Sequence, residues 1–145
     1  MTYPIKAFNL PALNGLSEKQ IKVHLALYEG YVKHANLIME KLAAVRAGTL
    51  ELDAYIVAEL RRRFAFEFDG MRMHEYYFTQ FEGGSVPSSA DSTLAKAVAE
   101  KYGGQDLITH IKEVAGSRGI GWVVVYADPV VETLHTVFVN DHEVG

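Results

Sequence analysis

Cysteine is absent from all 145 residues. That excludes thiolate zinc sites, Fe–S clusters, disulfide frameworks and cysteine nucleophiles. A metal, if there is one, must be held by His, carboxylate and water, a donor set that suits Mn, Fe, Zn or Cu. A basic surplus is missing too: fourteen Lys+Arg stand against eighteen Asp+Glu, a net charge of −4. A phosphate-tracking surface, and with it a nucleic-acid partner, is therefore not expected. No apolar run approaches the ~20 residues that span a bilayer, so no membrane partner is expected either. The opening Met1-Thr2-Tyr3-Pro4-Ile5-Lys6 lacks the basic-then-apolar layout of a signal peptide, and the expected compartment is the cytoplasm. No P-loop, Gly-x-Gly-x-x-Gly, Gly-x-Ser-x-Gly or His-Glu-x-x-His occurs. What is present is 49% hydrophobic and 22% charged, the balance of a globular domain large enough to bury a core unaided.

Pro4 and Pro11 keep the first residues out of a long helix and predict an extended N-terminal arm. Ser17-Glu18-Lys19-Gln20 fits a capping box. From there to Arg46, before Gly48, apolar residues at Ile21, Leu25, Tyr28, Tyr31, Val32, Ala35, Met39 and Leu42 follow three-four spacing. Asp53 is the predicted cap of a second long helix reaching about Phe81. A break is expected near Phe64-Ala65-Phe66-Glu67-Phe68, which alternates like a strand, and Gly70 marks a bend or a close helix contact. Gly83 to Ser89 reads as a loop, dividing a helical hairpin (1–84) from a smaller α/β part (85–145). In that part Asp91 or Ser92 caps a short helix ending at Gly103-Gly104, and another runs from about Asp106 to Ala115. Gly121–Tyr126 and Thr133–Val139 then predict a β-hairpin. The fold class is α+β, with a sheet expected to be incomplete, since a two-stranded ribbon is marginal alone.

Two histidines stand out. His24 lies in the apolar stripe of the first helix, with Tyr31 two turns further along the same face. His74 has Gly70, Tyr77, Phe78 and Phe81 as helical neighbours, and a neutral imidazole in an aromatic wall is a good metal ligand. Taken alone, His24 reads more readily as a core histidine bonded to a backbone carbonyl, and a core histidine is the alternative for His74 as well. Antiparallel packing of the two helices would bring both rings to one point, as in metal sites built into bundles. Two imidazoles do not complete a transition-metal site, so a further donor is required. Glu132-Thr133-Leu134-His135 has the Glu-x-x-His spacing of di-metal bundles, but a strand would face the two residues apart. Glu29, Glu40, Glu67 and Glu75 do not form the inward pattern of a two-metal oxidase. His34, His110 and Arg61-Arg62-Arg63 read as solvated.

With those residues in hand, the chain resembles the iron/manganese superoxide dismutase family from Leu10-Pro11-Ala12-Leu13 onward. Leu16 to His24 resembles the first-helix segment that ends in a ligand His. Gly30-Tyr31-Val32 with Asn36 resembles the family's Tyr-Val-x-x-x-Asn stretch. Met73-His74-Glu75-Tyr76-Tyr77-Phe78 resembles the segment of the second ligand His, and Gly119-Ile120-Gly121-Trp122 resembles its Gly-Ser-Gly-Trp. The resemblance implies dismutation of superoxide at one Fe or Mn ion per chain, cycling between +3 and +2. It further implies His24 and His74 as metal ligands, Tyr31 as the tyrosine gating the substrate funnel, and a homodimer.

Departures accompany the resemblance. The family's remaining ligands lie in an Asp-x-Trp-Glu-His-Ala-Tyr motif beyond the second strand, and this sequence does not contain it. The expectation is that the chain is a fragment of a longer protein, since Asn140 to Gly145 resembles the run-up to that motif. The alternatives are a second chain supplying the motif, or a non-catalytic domain used for assembly or metal sequestration. Tyr31 follows His24 by seven residues rather than the family's eight, and Tyr28 stands where a His is common. Members hydrogen-bond the metal-bound solvent with a Gln or His. Gly70 cannot donate at the helix position, so the donor is expected at the strand end, with His142 chosen over Asp141.

Overall fold

Helix α1 (Glu18–Arg46) opens on the capping box read from the sequence. Ser17 Oγ accepts from the Gln20 backbone N–H at 3.2 Å, and Gln20 Oε1 accepts from the Ser17 N–H at 2.9 Å. Helix α2 (Ala54–Thr79) is capped by Asp53, whose carboxylate accepts the Tyr55 N–H at 2.8 Å. The computed structural model describes residues 2–87 and 89–143. Met1, Ser88 of the Gly83–Ser89 loop, and Val144-Gly145 of the terminal run lie outside the described residues.

Helix α2 runs unbroken through Phe64–Phe68, where the sequence predicted a break. Residues spaced by four share a helical face, and Phe64 and Phe68 stack on each other at 5.8 Å. The alternation that resembles a strand thus serves two faces of one helix. The two helices form an antiparallel hairpin around a core of Tyr28, Val32, Met71 and Phe78. The N-terminal arm is extended and adds Tyr3, Phe8 and Leu10 to that core. It is fastened to the hairpin through Tyr3–Asn36, Lys6–Tyr28, Lys6–Thr79 and Asn9–Glu82 hydrogen bonds of 2.7–2.9 Å.

The chain divides into two units: residues up to Ser85, together with Glu143, and Val86–His142. In the second unit, α3 (Thr93–Tyr102) is capped by Ser92 and closed by Gly103 in the left-handed conformation (φ 60°). Asp106 caps α4 (Leu107–Ala115). Strands β1 (Gly121–Asp128) and β2 (Thr133–Asn140) pair antiparallel, with Gly121 opposite Asn140 and Asp128 opposite Thr133. Both strands run slightly longer than the β-branched stretches suggested. Asp128 Oδ1 ends the first by accepting from the Val130 and Val131 N–H groups. Helices α3 and α4 pack on this sheet, and the hydroxyls of Tyr102 and Thr136 bond at 2.8 Å. The fold is α+β, and the sheet among the described residues has two strands and is not closed.

Candidate metal centre

On α1, His24, Tyr28 and Tyr31 occupy positions i, i+4 and i+7, one face of the helix. That face meets the end of α2, where Gly70, His74, Tyr77 and Phe78 lie on neighbouring turns. The His24 and His74 rings consequently stand 4.8 Å apart between centroids, edge to face at 78°. Tyr77 and Phe78 flank His24 at 5.1 and 5.0 Å, and Tyr31 lies 5.1 Å from His74. His74 is 1% exposed.

The ring nitrogens of His74 are distinguished by one contact. Nδ1 lies 2.6 Å from the Gly70 carbonyl oxygen, and a carbonyl only accepts, so Nδ1 carries the proton and Nε2 carries the lone pair. This is the arrangement in which a histidine is ready to ligate a metal. Burial lowers the His24 pKa below its ordinary 6.5, favouring the same neutral, ligating form. The ring separation also suits a shared ion, given metal–nitrogen bonds of about 2.1 Å. The donor set therefore fits two ligands of a mononuclear centre. Among the described residues, no group of three or more His, Asp or Glu side chains gathers at one point.

Gly70 has a second role that its sequence position alone suggested in outline. A Cβ there would lie 2.7–3.0 Å from the Tyr31 ring, so the missing side chain is the space that Tyr31 fills. Alongside Tyr31 runs a groove of about 520 Å³ lined by Leu27, His34, Leu37, Lys41, Arg63 and Glu67, among others. Arg63 is exposed, as the solvated reading expected, but its head group is engaged. Its guanidinium donates to Glu67 at 2.7 Å and covers the Phe66 ring at 4.2 Å, and Glu67 is buried. The i,i+4 spacing of the pair was visible in the sequence; the burial of its acid was not.

His142 belongs to the second unit. Asp141 adopts a left-handed backbone (φ 45°) and its N–H bonds the Ile120 carbonyl at 2.9 Å, turning the chain after β2. Asp141 is exposed, whereas His142 is buried against Trp122. Trp122 Nε1–H donates to His142 Nδ1 at 2.9 Å. An indole nitrogen only donates, so His142 in its neutral form carries its proton on Nε2. Of the remaining histidines, His34 and His135 are exposed. His110, expected to be solvated, instead packs at a tilt against the Tyr102 ring, 4.3 Å between centroids, and is partly covered.

Sequence reasoning missed a polar tie in the hairpin. The Tyr28 hydroxyl accepts from the Lys6 N–H at 2.9 Å and donates to Glu75 Oε1 at 3.1 Å, and Glu75 pairs with Arg72 at 2.6 Å. Desolvation raises the Tyr28 pKa, with the Glu75 charge acting in the same direction.

No family model matches the chain. It is 30% identical over 134 residues to an iron superoxide dismutase of Saccharolobus solfataricus, covering 88% of this chain and 62% of that protein. To an iron superoxide dismutase of Sulfolobus acidocaldarius it is 28% identical, covering 97% of this chain and 69% of the other. To a manganese/iron superoxide dismutase of Aeropyrum pernix it is 28% identical, with 96% and 69% covered. The chain thus spans 62–69% of the length of these curated relatives.

Proposed function

The chain belongs to the iron/manganese superoxide dismutase family, and from that premise we propose that it carries half of a mononuclear Fe or Mn centre that dismutates superoxide. The observation behind this reading is the pair of imidazoles 4.8 Å apart, one of them held with its lone pair on Nε2. In the reaction two superoxide anions and two protons give one dioxygen and one hydrogen peroxide. His24 and His74 would hold the ion, and the chemistry it supplies when bound is one-electron exchange in both directions. Tyr31, seated by Gly70 beside His74, would hand on protons from its hydroxyl. His142, turned by Trp122 so that Nε2–H is its donor, would hydrogen-bond bound solvent. The aromatic wall of Tyr77 and Phe78 keeps water from the imidazoles. The working form is proposed to be a cytoplasmic homodimer. Among the described residues, no helix is long and apolar enough to cross a membrane.

A second reading is kept beside it: a non-catalytic family member used for assembly or metal sequestration. Metal analysis with a superoxide-consumption assay separates the two, applied to this chain and to any longer natural form. The dismutase reading expects Fe or Mn and activity in a form carrying the remaining donors, both lost in His74→Ala. A folded but metal-free and inactive protein in every form would leave the second reading.

A further inference from the structure

We propose that Tyr28 is a positioning residue whose hydroxyl sets the axial register of α1 against α2, and with it the separation of the His24 and His74 rings. Its purpose rests on the metal-centre reading above, but its geometry does not. Tyr28 is one helical turn beyond His24, and the Glu75 it bonds is the residue after His74, so the tie spans both helices beside the imidazoles.

The tie is part of a closed circuit. From the Tyr28 hydroxyl it passes to Glu75, whose second oxygen bonds Arg72 at 2.6 Å. The Arg72 guanidinium lies over the Tyr3 ring at 5.2 Å. Asn36 grips the Tyr3 backbone at both N–H and C=O, at 2.7 and 2.8 Å, which returns the circuit to α1. The Lys6 N–H closes a second link from the arm onto the same hydroxyl. The ring is equally held: Tyr28 is 1% exposed and meets Phe8, which meets Phe78, which meets His24. Apolar faces alone allow two helices to repack with small axial slips. A directional hydrogen bond between them holds only within a few tenths of an ångström, and its loss leaves the Tyr28 hydroxyl with the Lys6 N–H alone and Glu75 with Arg72 alone, so that neither group any longer joins the two helices beside the imidazoles.

The test is the cross-relaxation peak between the His24 and His74 ring protons in histidine-labelled, chelator-treated protein, recorded well below its melting temperature. A shift of about 0.5 Å, the tolerance expected of a built site, lowers such a peak nearly twofold through its inverse sixth-power distance dependence. Tyr28→Phe, which keeps the ring, is expected to lose at least that much, as is Glu75→Met from the other side. Val32→Ala, which thins the same core without touching the tie, should lower Tm and leave the peak unchanged. An undiminished peak in folded Tyr28→Phe or Glu75→Met overturns the proposal. Should neither variant fold, the wild-type hydroxyl proton of Tyr28 decides. Slow exchange with contacts to Lys6 and Glu75 upholds the tie, and rapid exchange overturns it. Metal content is scored separately: a diminished peak in Tyr28→Phe beside a wild type that holds no Fe or Mn even in a form carrying the remaining donors would leave the tie standing and remove the metal-centre reading.

Discussion

Gly70 does two jobs with one backbone unit, accepting the His74 Nδ1–H on its carbonyl and leaving the space that the Tyr31 ring occupies. Gly70→Ala places a methyl 2.7 Å from that ring. Tyr31 must then move or the helices must part, at a cost of roughly 1–3 kcal/mol typical of overpacking. Thermal unfolding should show the loss, and the Tyr31 ring resonances should shift while those of Tyr55 do not. His24 makes a pH prediction for the metal-free protein. Its folded pKa is depressed by burial, so the unfolded chain binds the extra proton first as pH falls. Its contribution to stability is complete above the ordinary 6.5 and is lost as pH drops from there toward the folded value. Denaturant midpoints between pH 8 and 5 measured for wild type and His24→Phe, normalised to their pH 8 values, should diverge below about pH 6.5, with wild type falling further.

Among the elements, helix starts were the most legible because their signals are local. Ser17 with Gln20, Asp53 and Asp106 each supply a side-chain acceptor to a nearby N–H, and each starts its helix where the sequence placed it. Ser17→Ala removes one half of the capping box and should cost about 1 kcal/mol, read as faster amide exchange at Gln20 and Ile21 with the hairpin core unaffected. Phe64 to Phe68 misled for an equally physical reason: five residues of alternation cannot reveal whether the chain around them turns every two residues or every 3.6. The Arg63–Glu67 pair was readable in spacing but not in burial, because Glu67 is covered by the packed hairpin and not by anything near it in sequence. The Tyr28–Glu75 bond joins residues 47 apart and no local pattern announces it. The apolar stripes did place both imidazoles between the helices. The donors a complete centre needs were already missing from the sequence, and the described residues add none.

The whole molecule has a convenient asymmetry. Its one tryptophan, Trp122, lies in the second unit, whereas the two long helices, of 29 and 26 residues, lie in the first. Tryptophan fluorescence and far-ultraviolet circular dichroism therefore report on different units. The second unit has a two-stranded sheet and two short helices as its framework, a marginal basis for stability. Its fluorescence transition should precede the helical one in urea. Coincident transitions would show that the two units unfold as one.

The arm gives the molecule an order of events in time. Lys6 and Asn9 are fastened to Thr79 and Glu82, each 73 residues further on. During synthesis the arm, which leaves the ribosome before either helix, must therefore wait, with Phe8 still uncovered, until both helices have emerged. The arm is made before the helices and secured only after them, and a nascent chain halted within α2 would offer that phenylalanine to a chaperone.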